Sequence, residues 1–334
     1  MNGPKLTIFV AFLAIGTVMC KTDGSQDNTC SENNQTKCHG LGLTGRLAVV
    51  TGGASGIGRS VCMVLAREGA TVVVADKNRT GSNETIRMLQ GRSQILARTL
   101  SATRRTRRRH ILLSLRMFPW IGGIKRWPEG LGSFKGGHRA IYVDVSNSTA
   151  VSNLFKEIES LFPKRTISVV VNSAGVSGTP NLIHETCDAT FDEAIGTNLR
   201  GTFLIDRASV RHMLAKNVSD GAIVNIASIM AKTGYPGATP YSASKGGVVS
   251  LTKAVALEVA TKSIRVNAIL PGPVDTPMLA KTPAEAVATY VQATALKRVG
   301  QPEEIAETIA FMCSPKRSFM TGAAVDVTGG IMVA

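Results

Sequence analysis

The chain has 334 residues, 44% of them hydrophobic and 18% charged, which is enough apolar material for a sizeable core and excludes broad intrinsic disorder. A net charge of +15 raises the prospect of phosphate-rich partners, but ten Arg and two Lys against a single Glu between Gly91 and Arg139 account for +11 of it and leave +4 for everything else. Basicity therefore belongs to one segment, and nucleic acid is not expected as a partner of the remainder.

Lys5 is followed by an apolar run, Leu6 to Met19, and then by the polar stretch "KTDGSQDNTCSENNQTKCHG". The run is short for a membrane span and matches the apolar core of a secretory signal with a cut near Cys20; the plain alternative is an extension that anchors or does nothing. Residues 1–20 are read as a signal-like leader and 21–42 as a polar linker, and apart from the leader no membrane partner is expected. The six cysteines, at 20, 30, 38, 62, 187 and 313, include no CxxC pair, so no metal site is expected. Cys30 and Cys38 could pair in a secreted chain, whereas Cys62, Cys187 and Cys313 read as core thiols. Sequons at Asn34, Asn78, Asn83, Asn147 and Asn217 matter only in a secretory setting.

From Leu47 onward apolar runs alternate with helical patterns. "RLAVVTGG" precedes a helix from Ile57 to Glu68, then come "ATVVVAD" and, past the basic segment, "AIYVDV". "AVSNLFKEIESLF" leads to "ISVVVNSAG", a helix from Phe191 to Lys216 leads to "GAIVNIAS", one from Ser242 to Lys262 leads to "IRVNAILPG", and "AAVDVTGG" is last. Near-continuous Val, Ile and Ala without polar alternation marks strands covered on both faces. The pattern predicts an α/β fold, a single Rossmann-type doubly wound parallel sheet over residues 43–334.

Ligands of such sheets bind beyond the carboxyl ends of the strands. There the turn Gly52-Gly53-Ala54-Ser55-Gly56-Ile57-Gly58 opens directly into a helix, so backbone N–H groups and the helix dipole can cradle a pyrophosphate. Asp76 ends the next strand. It can accept both ribose hydroxyls and repel a 2′-phosphate, favouring NAD over NADP, or it can simply cap a turn; Lys77 and Arg79 leave some room for NADP. In "YSASKGGVVSLT", Tyr241 and Lys245 lie four apart on one helix face, where an ammonium is expected to lower the phenol's pKa. Ser228, at the end of "GAIVNIAS", could hydrogen-bond a substrate oxygen or cap a helix; Asn198 could order a water linking Lys245 to solvent or be an ordinary polar helix residue.

These motifs, with "DV" at Asp144 and Val145, "NSAG" at Asn172 to Gly175 and "PGPVDT" from Pro271 to Thr276, resemble the short-chain dehydrogenase/reductase family from about Leu43 to the C-terminus. Ser173 departs mildly from the family's NNAG. The resemblance implies that Asp144 and Val145 hold the adenine. It implies that Asn172, Ala174 and Gly175 line the cofactor, that Lys245 also contacts the nicotinamide ribose, and that Pro271, Val274 and Thr276 flank the nicotinamide amide. Asn198, Ser228, Tyr241 and Lys245 are then the catalytic residues. Within the family, "NLRGTFL" and "RVGQPEEIAETIAFMCS" resemble the 3-oxoacyl-acyl-carrier-protein reductases and a 17β-hydroxysteroid dehydrogenase branch with mitochondrial 3-hydroxyacyl dehydrogenase relatives. This implies an NAD-dependent oxidoreductase acting on a 3-oxoacyl thioester, alternatively on a steroid, as a homotetramer or a tetramer mixed with a related reductase. It leaves the compartment open between mitochondrion and secretory pathway. The segment from Pro273 to Val299 is expected to close over the substrate. A catalytically silent NAD-binding scaffold is the rival reading, which the intact Ser228, Tyr241 and Lys245 oppose.

In the family pattern "RTGSNETIRMLQ" should lead through a short loop to "HRAIYVDV", yet roughly forty-five extra residues, at about 91–137, intervene. They carry five arginines within six positions, from Arg104 to Arg109, and two tryptophans. An arm binding RNA or anionic lipid and a plain solvated loop are two readings. A translated intron fits better, because the composition is alien to flanks that join smoothly without it.

Overall fold

Seven runs form one parallel sheet in the computed structural model of the protein, which describes residues 40–91 and 137–331. They are β1 (Leu47–Thr51), β2 (Thr71–Asp76), β3 (Arg139–Tyr142), β4 (Ile167–Asn172), β5 (Gly221–Ile226), β6 (Ile264–Pro271) and β7 (Ala324–Val327), in the order β3-β2-β1-β4-β5-β6-β7. The helices are α1 (Gly56–Arg67), α2 (residues 79–91), α3 (Ser148–Leu161), α4 (Asp188–Ala194), α5 (Gly201–Ala215), α6 (Met230–Thr233), α7 (Thr239–Val259), α8 (Ala284–Ala293) and α9 (Pro302–Cys313). The doubly wound sheet expected from the alternating runs is the one the chain forms.

Every residue of β1, β5 and β6 is buried, as two-sided cover requires. Successive side chains point to opposite faces. Ala48, Val50, Val72, Val74, Val169 and Val171 therefore pack with α1 and α9, while Leu47, Val49, Val73, Val170, Ile223 and Val266 pack with α3, α5 and α7. Each such side chain taken from water contributes about 1.5–3 kcal/mol. From β1 the chain winds out to β2 and β3 and returns to β4 on the other side, so a crevice opens beyond the carboxyl ends of β1 and β4.

The opposite edge of the sheet is closed by two arginines. Arg46 donates to the Asp220 carboxylate at 2.9 Å, to the Ser168 carbonyl at 3.0 Å and to the Asp220 carbonyl. Arg265 donates to the carbonyls of Met312 at 2.9 Å and Ser314 at 3.1 Å, groups that the end of α9 leaves without helical partners.

Some boundaries differ from expectation. α7 begins at Thr239 rather than Ser242, because Pro240 fits the first turn, where its missing N–H costs nothing; Tyr241 therefore sits in that turn. The helix expected from Phe191 starts at Asp188 and passes through a π-helical stretch, Ile195–Arg200. α6 and α9 have no counterpart in the alternating pattern, although Gln301-Pro302-Glu303-Glu304 carries a start signal, the Gln301 N–H donating to Glu304 at 2.7 Å. Cys62 and Cys313 are buried thiols, but Cys187 is exposed, a correction: it precedes α4 at the surface, within 3.3 Å of Thr190 Oγ1. The domain's packing reaches back to Leu41, whose carbonyl accepts from Ser314 Oγ at 2.6 Å. No helix among the described residues is long and apolar enough to cross a membrane. The leader, the linker up to residue 39, the first three cysteines and residues 92–136 of the basic segment lie outside the described residues.

Candidate active site

A cleft of about 780 Å³ opens at the carboxyl edge of the sheet, floored by the glycine-rich turn and the ends of β2, β4, β5 and β6. At one end the backbone is crowded in ways only glycine permits. Gly52 has φ +67°, and a Cβ there would come within 2.6 Å of the Ala174 nitrogen; a Cβ on Gly58 would overlap the Gly52 carbonyl. Gly52, Ser55, Gly56 and Ile57 border the cleft, with the first N–H groups of α1 opening at this turn. Gly58 does not border it. It stands behind the turn and lets α1 pass close to Gly52.

Asp76 caps the turn after β2. One carboxylate oxygen accepts from the Ala54 N–H at 3.1 Å and the other from the Asn78 N–H at 2.8 Å, which fixes the turn, yet the side chain also borders the cleft. Asp144 is held by the Ser146 N–H at 3.0 Å and hydroxyl at 2.7 Å. Those hydrogen bonds, with Lys77 nearby, keep its pKa below the usual carboxylate value. Asp144, Val145, Ala174, Gly175, Pro271, Val274 and Thr276 all border the cleft as expected.

Asn172 does not. Its side chain is buried, donating to Asp206 and to Asn225 at 2.8 Å each, while Asn225 donates to Asp206 at 2.8 Å and to Thr252 at 3.0 Å. Its position at the end of β4 turns the side chain into the layer with α5 and α7, where it ties the sheet to the helices. Burial pushes the Asp206 carboxyl up to about 7 against the opposing pull of the two amides.

At the inner wall, the first two turns of α7 carry Tyr241 and Lys245. Lys245 is buried, its Nζ donates to the Ile226 carbonyl at 2.8 Å and lies 5.7 Å from the centre of the Tyr241 ring, and burial pushes its pKa down to about 8. Tyr241 is raised by burial, opposed only by a hydrogen bond with Ser228. Lys245 is here turned to a carbonyl, and its own charge is penalised by burial. Ser228 takes the helix-start role considered for it, Oγ accepting from the Met230 N–H at 3.2 Å at the start of α6, and it borders the cleft.

Asn198 is fully buried in the π-helical stretch, and its amide is engaged by the protein. Oδ1 accepts from the Val176 N–H at 2.8 Å, and Nδ2 donates to the Val176 carbonyl at 2.9 Å and to Ser244 Oγ at 3.0 Å. Its side chain thus clamps the cleft wall. Gly175 keeps room beside it, since a Cβ there would lie 3.1 Å from Asn198 Oδ1 and 3.5 Å from Lys245 Nζ.

Beyond Tyr241 the cleft is bordered by residues no motif marked: Pro180, Met230, Tyr235, Met278, Leu279 and Tyr290. Only the expectation that Pro273 to Val299 lies over the substrate pointed this way. Among the described residues, no cluster of three or more His, Cys, Asp or Glu comes together.

A family model described as short chain dehydrogenase matches residues 46–113, and one described as Enoyl-(Acyl carrier protein) reductase matches residues 132–332. The human (3R)-3-hydroxyacyl-CoA dehydrogenase is 36% identical over 291 residues, spanning 87% of this chain and 97% of that protein. The Thermotoga maritima 3-oxoacyl-acyl-carrier-protein reductase FabG is 29% identical, spanning 87% and 99%. The crystal structure of a Brucella melitensis 3-ketoacyl-(acyl-carrier-protein) reductase complexed with NADH matches with a TM-score of 0.68 at 27% identity, over 86% of this chain and 99% of that one.

Proposed function

The chain belongs to the short-chain dehydrogenase family and is an oxidoreductase acting on CH–OH groups, and from that premise we propose that it interconverts a 3-oxoacyl thioester and its 3-hydroxy alcohol with NAD(H). The observation that carries this reading is Tyr241, Ser228 and Lys245 together in the wall of a cleft whose other end suits a dinucleotide. The relatives' names support the substrate class. Asp76 supports NAD over NADP, because each of its oxygens keeps a lone pair for a ribose hydroxyl beside the one N–H it accepts. The glycine cradle at Gly52 and the open start of α1 fit a pyrophosphate.

When bound, the nicotinamide exchanges the hydride with the carbinol carbon. Tyr241 exchanges the proton on the substrate oxygen; held above its ordinary pKa, it is protonated at neutral pH, the form ketone reduction needs. Ser228 orients that oxygen. Lys245, which borders the cleft beside Tyr241 with its Nζ on the Ile226 carbonyl, would turn a further N–H to the ribose of a bound cofactor. Self-association, with like copies or a related reductase, is part of the proposal: Ile183, Leu257 and Phe319 are large apolar side chains left exposed and suited to an interface.

The test is oxidation of NADH and NADPH by the full chain with acetoacetyl-CoA, with estradiol and NAD in parallel. NADH-dependent reduction that falls about 10²–10⁴-fold in Tyr241→Phe, with NADH binding kept, is the expected result. Binding without turnover of either substrate would move the assignment to a silent scaffold, and turnover of estradiol alone would move it to steroids.

A further inference from the structure

The cleft continues beyond Tyr241 into a compartment with two further phenols. Tyr235 lies between α6 and α7, in a segment that bends at Gly234 (φ +63°) and Gly237 (φ +78°). Tyr290 lies on α8. Their ring centres are 5.0 Å apart at 59°, a tilted pair, and both residues border the same cleft as Tyr241. α8 has no buried residue of its own, so this ring contact is a main anchor of the helix at the cleft. The other walls here are Pro180, Met230, Met278 and Leu279, which offer an acyl chain or ring surface but no strong hydrogen bond.

The two half-buried phenols bring hydroxyls to this stretch of the cleft, where a polar atom of a ligand can reach them. Burial first, then neighbouring Tyr235, to which it donates, and Tyr241 push the Tyr290 pKa up to about 12, so at neutral pH the phenol is neutral and can turn its hydrogen from Tyr235 to a carbonyl that enters the cleft. A ketone oxygen at Tyr241 and Ser228 then leaves Tyr290 facing whatever stands a few bonds further along the substrate.

We propose that the Tyr235–Tyr290 pair is a second carbonyl site, in which Tyr290 donates to the thioester carbonyl of a 3-oxoacyl substrate while Tyr241 serves the ketone two carbons away. The inference rests on the thioester reading above and adds what that reading lacks, a group that tells a 1,3-dicarbonyl from a lone ketone. It assigns no chemistry to Tyr290; the residue binds and positions.

The experiment compares kcat/KM for an acetoacetyl thioester of N-acetylcysteamine and for 2-pentanone, in the wild type, Tyr290→Phe and Tyr235→Phe, with NADH binding and Tm as controls for folding. The expected result is a wild-type preference for the thioester that drops roughly tenfold in Tyr290→Phe, mostly through KM, the worth of one neutral hydrogen bond, with 2-pentanone turnover changed less than twofold. A preference kept in full by Tyr290→Phe would overturn the carbonyl site and leave the thioester reading standing. Equal losses on both substrates would reduce the pair to a structural anchor of α8. A wild type with no preference, or with no activity toward either compound, would overturn both the site and the thioester reading.

Discussion

Lys245 shows how much a single buried charge can reveal. Its folded pKa is about 8 against an ordinary 10.5, so between those values the unfolded chain holds the proton that the folded chain has released. Stability then rises with pH across that window. Below pH 8 both states are protonated and the folded state bears the whole penalty of burial, of order 3 kcal/mol. Urea unfolding from pH 7 to 10.5 should therefore show a rise in wild-type stability that Lys245→Met lacks; parallel curves would mean that the ammonium is not desolvated. The pair Tyr241 and Lys245 was readable from their spacing of four, because a helix must put such residues on one face. Their electrostatics was not, because burial and the Ile226 carbonyl come from other elements.

At the scale of elements, the turn from β1 into α1 is the least forgiving part of the molecule. Gly58 meets the Gly52 carbonyl so closely that any Cβ must push the turn apart. Gly58→Ala is expected to cost at least about 2 kcal/mol, in the range of core overpacking, and to weaken NADH binding together with stability. Gly91, with nothing within 4 Å of a Cβ and no positive φ, supplies the control: Gly91→Ala should leave both unchanged, and chemical denaturation alongside NADH fluorescence titration distinguishes the two. Strands and long helices were legible because continuous Val and Ile runs leave no other home for their side chains. The short α6 was not, since four residues carry no periodicity, and the inward turn of Asn172 depends on which face β4 presents at its last residue, which a motif does not encode. Tyr235 and Tyr290 stand 55 positions apart in the chain, and only the fold brings them together.

For the molecule as a whole, the two edges of the sheet carry different burdens. The amino edge holds Arg46 and Arg265, whose donors satisfy carbonyls of β4, the α9 terminus and the approach to β5. Arg265→Met would take the guanidinium donor from the Met312 carbonyl and leave the Ser314 carbonyl with the Arg317 N–H alone, so a stability loss of about 1–3 kcal/mol is expected, with kcat and KM at 25 °C unchanged because the cleft lies across the sheet. A fall in kcat without a fall in stability would contradict that division. The same division bears on α8, which meets Tyr235 through a ring pair and has no fully buried residue of its own. A part so lightly tied to the core can be rewritten, residue by residue, with little risk to the scaffold. New alcohols and ketones can thus be sampled by drift in one short helix while the hydride chemistry stays as it is.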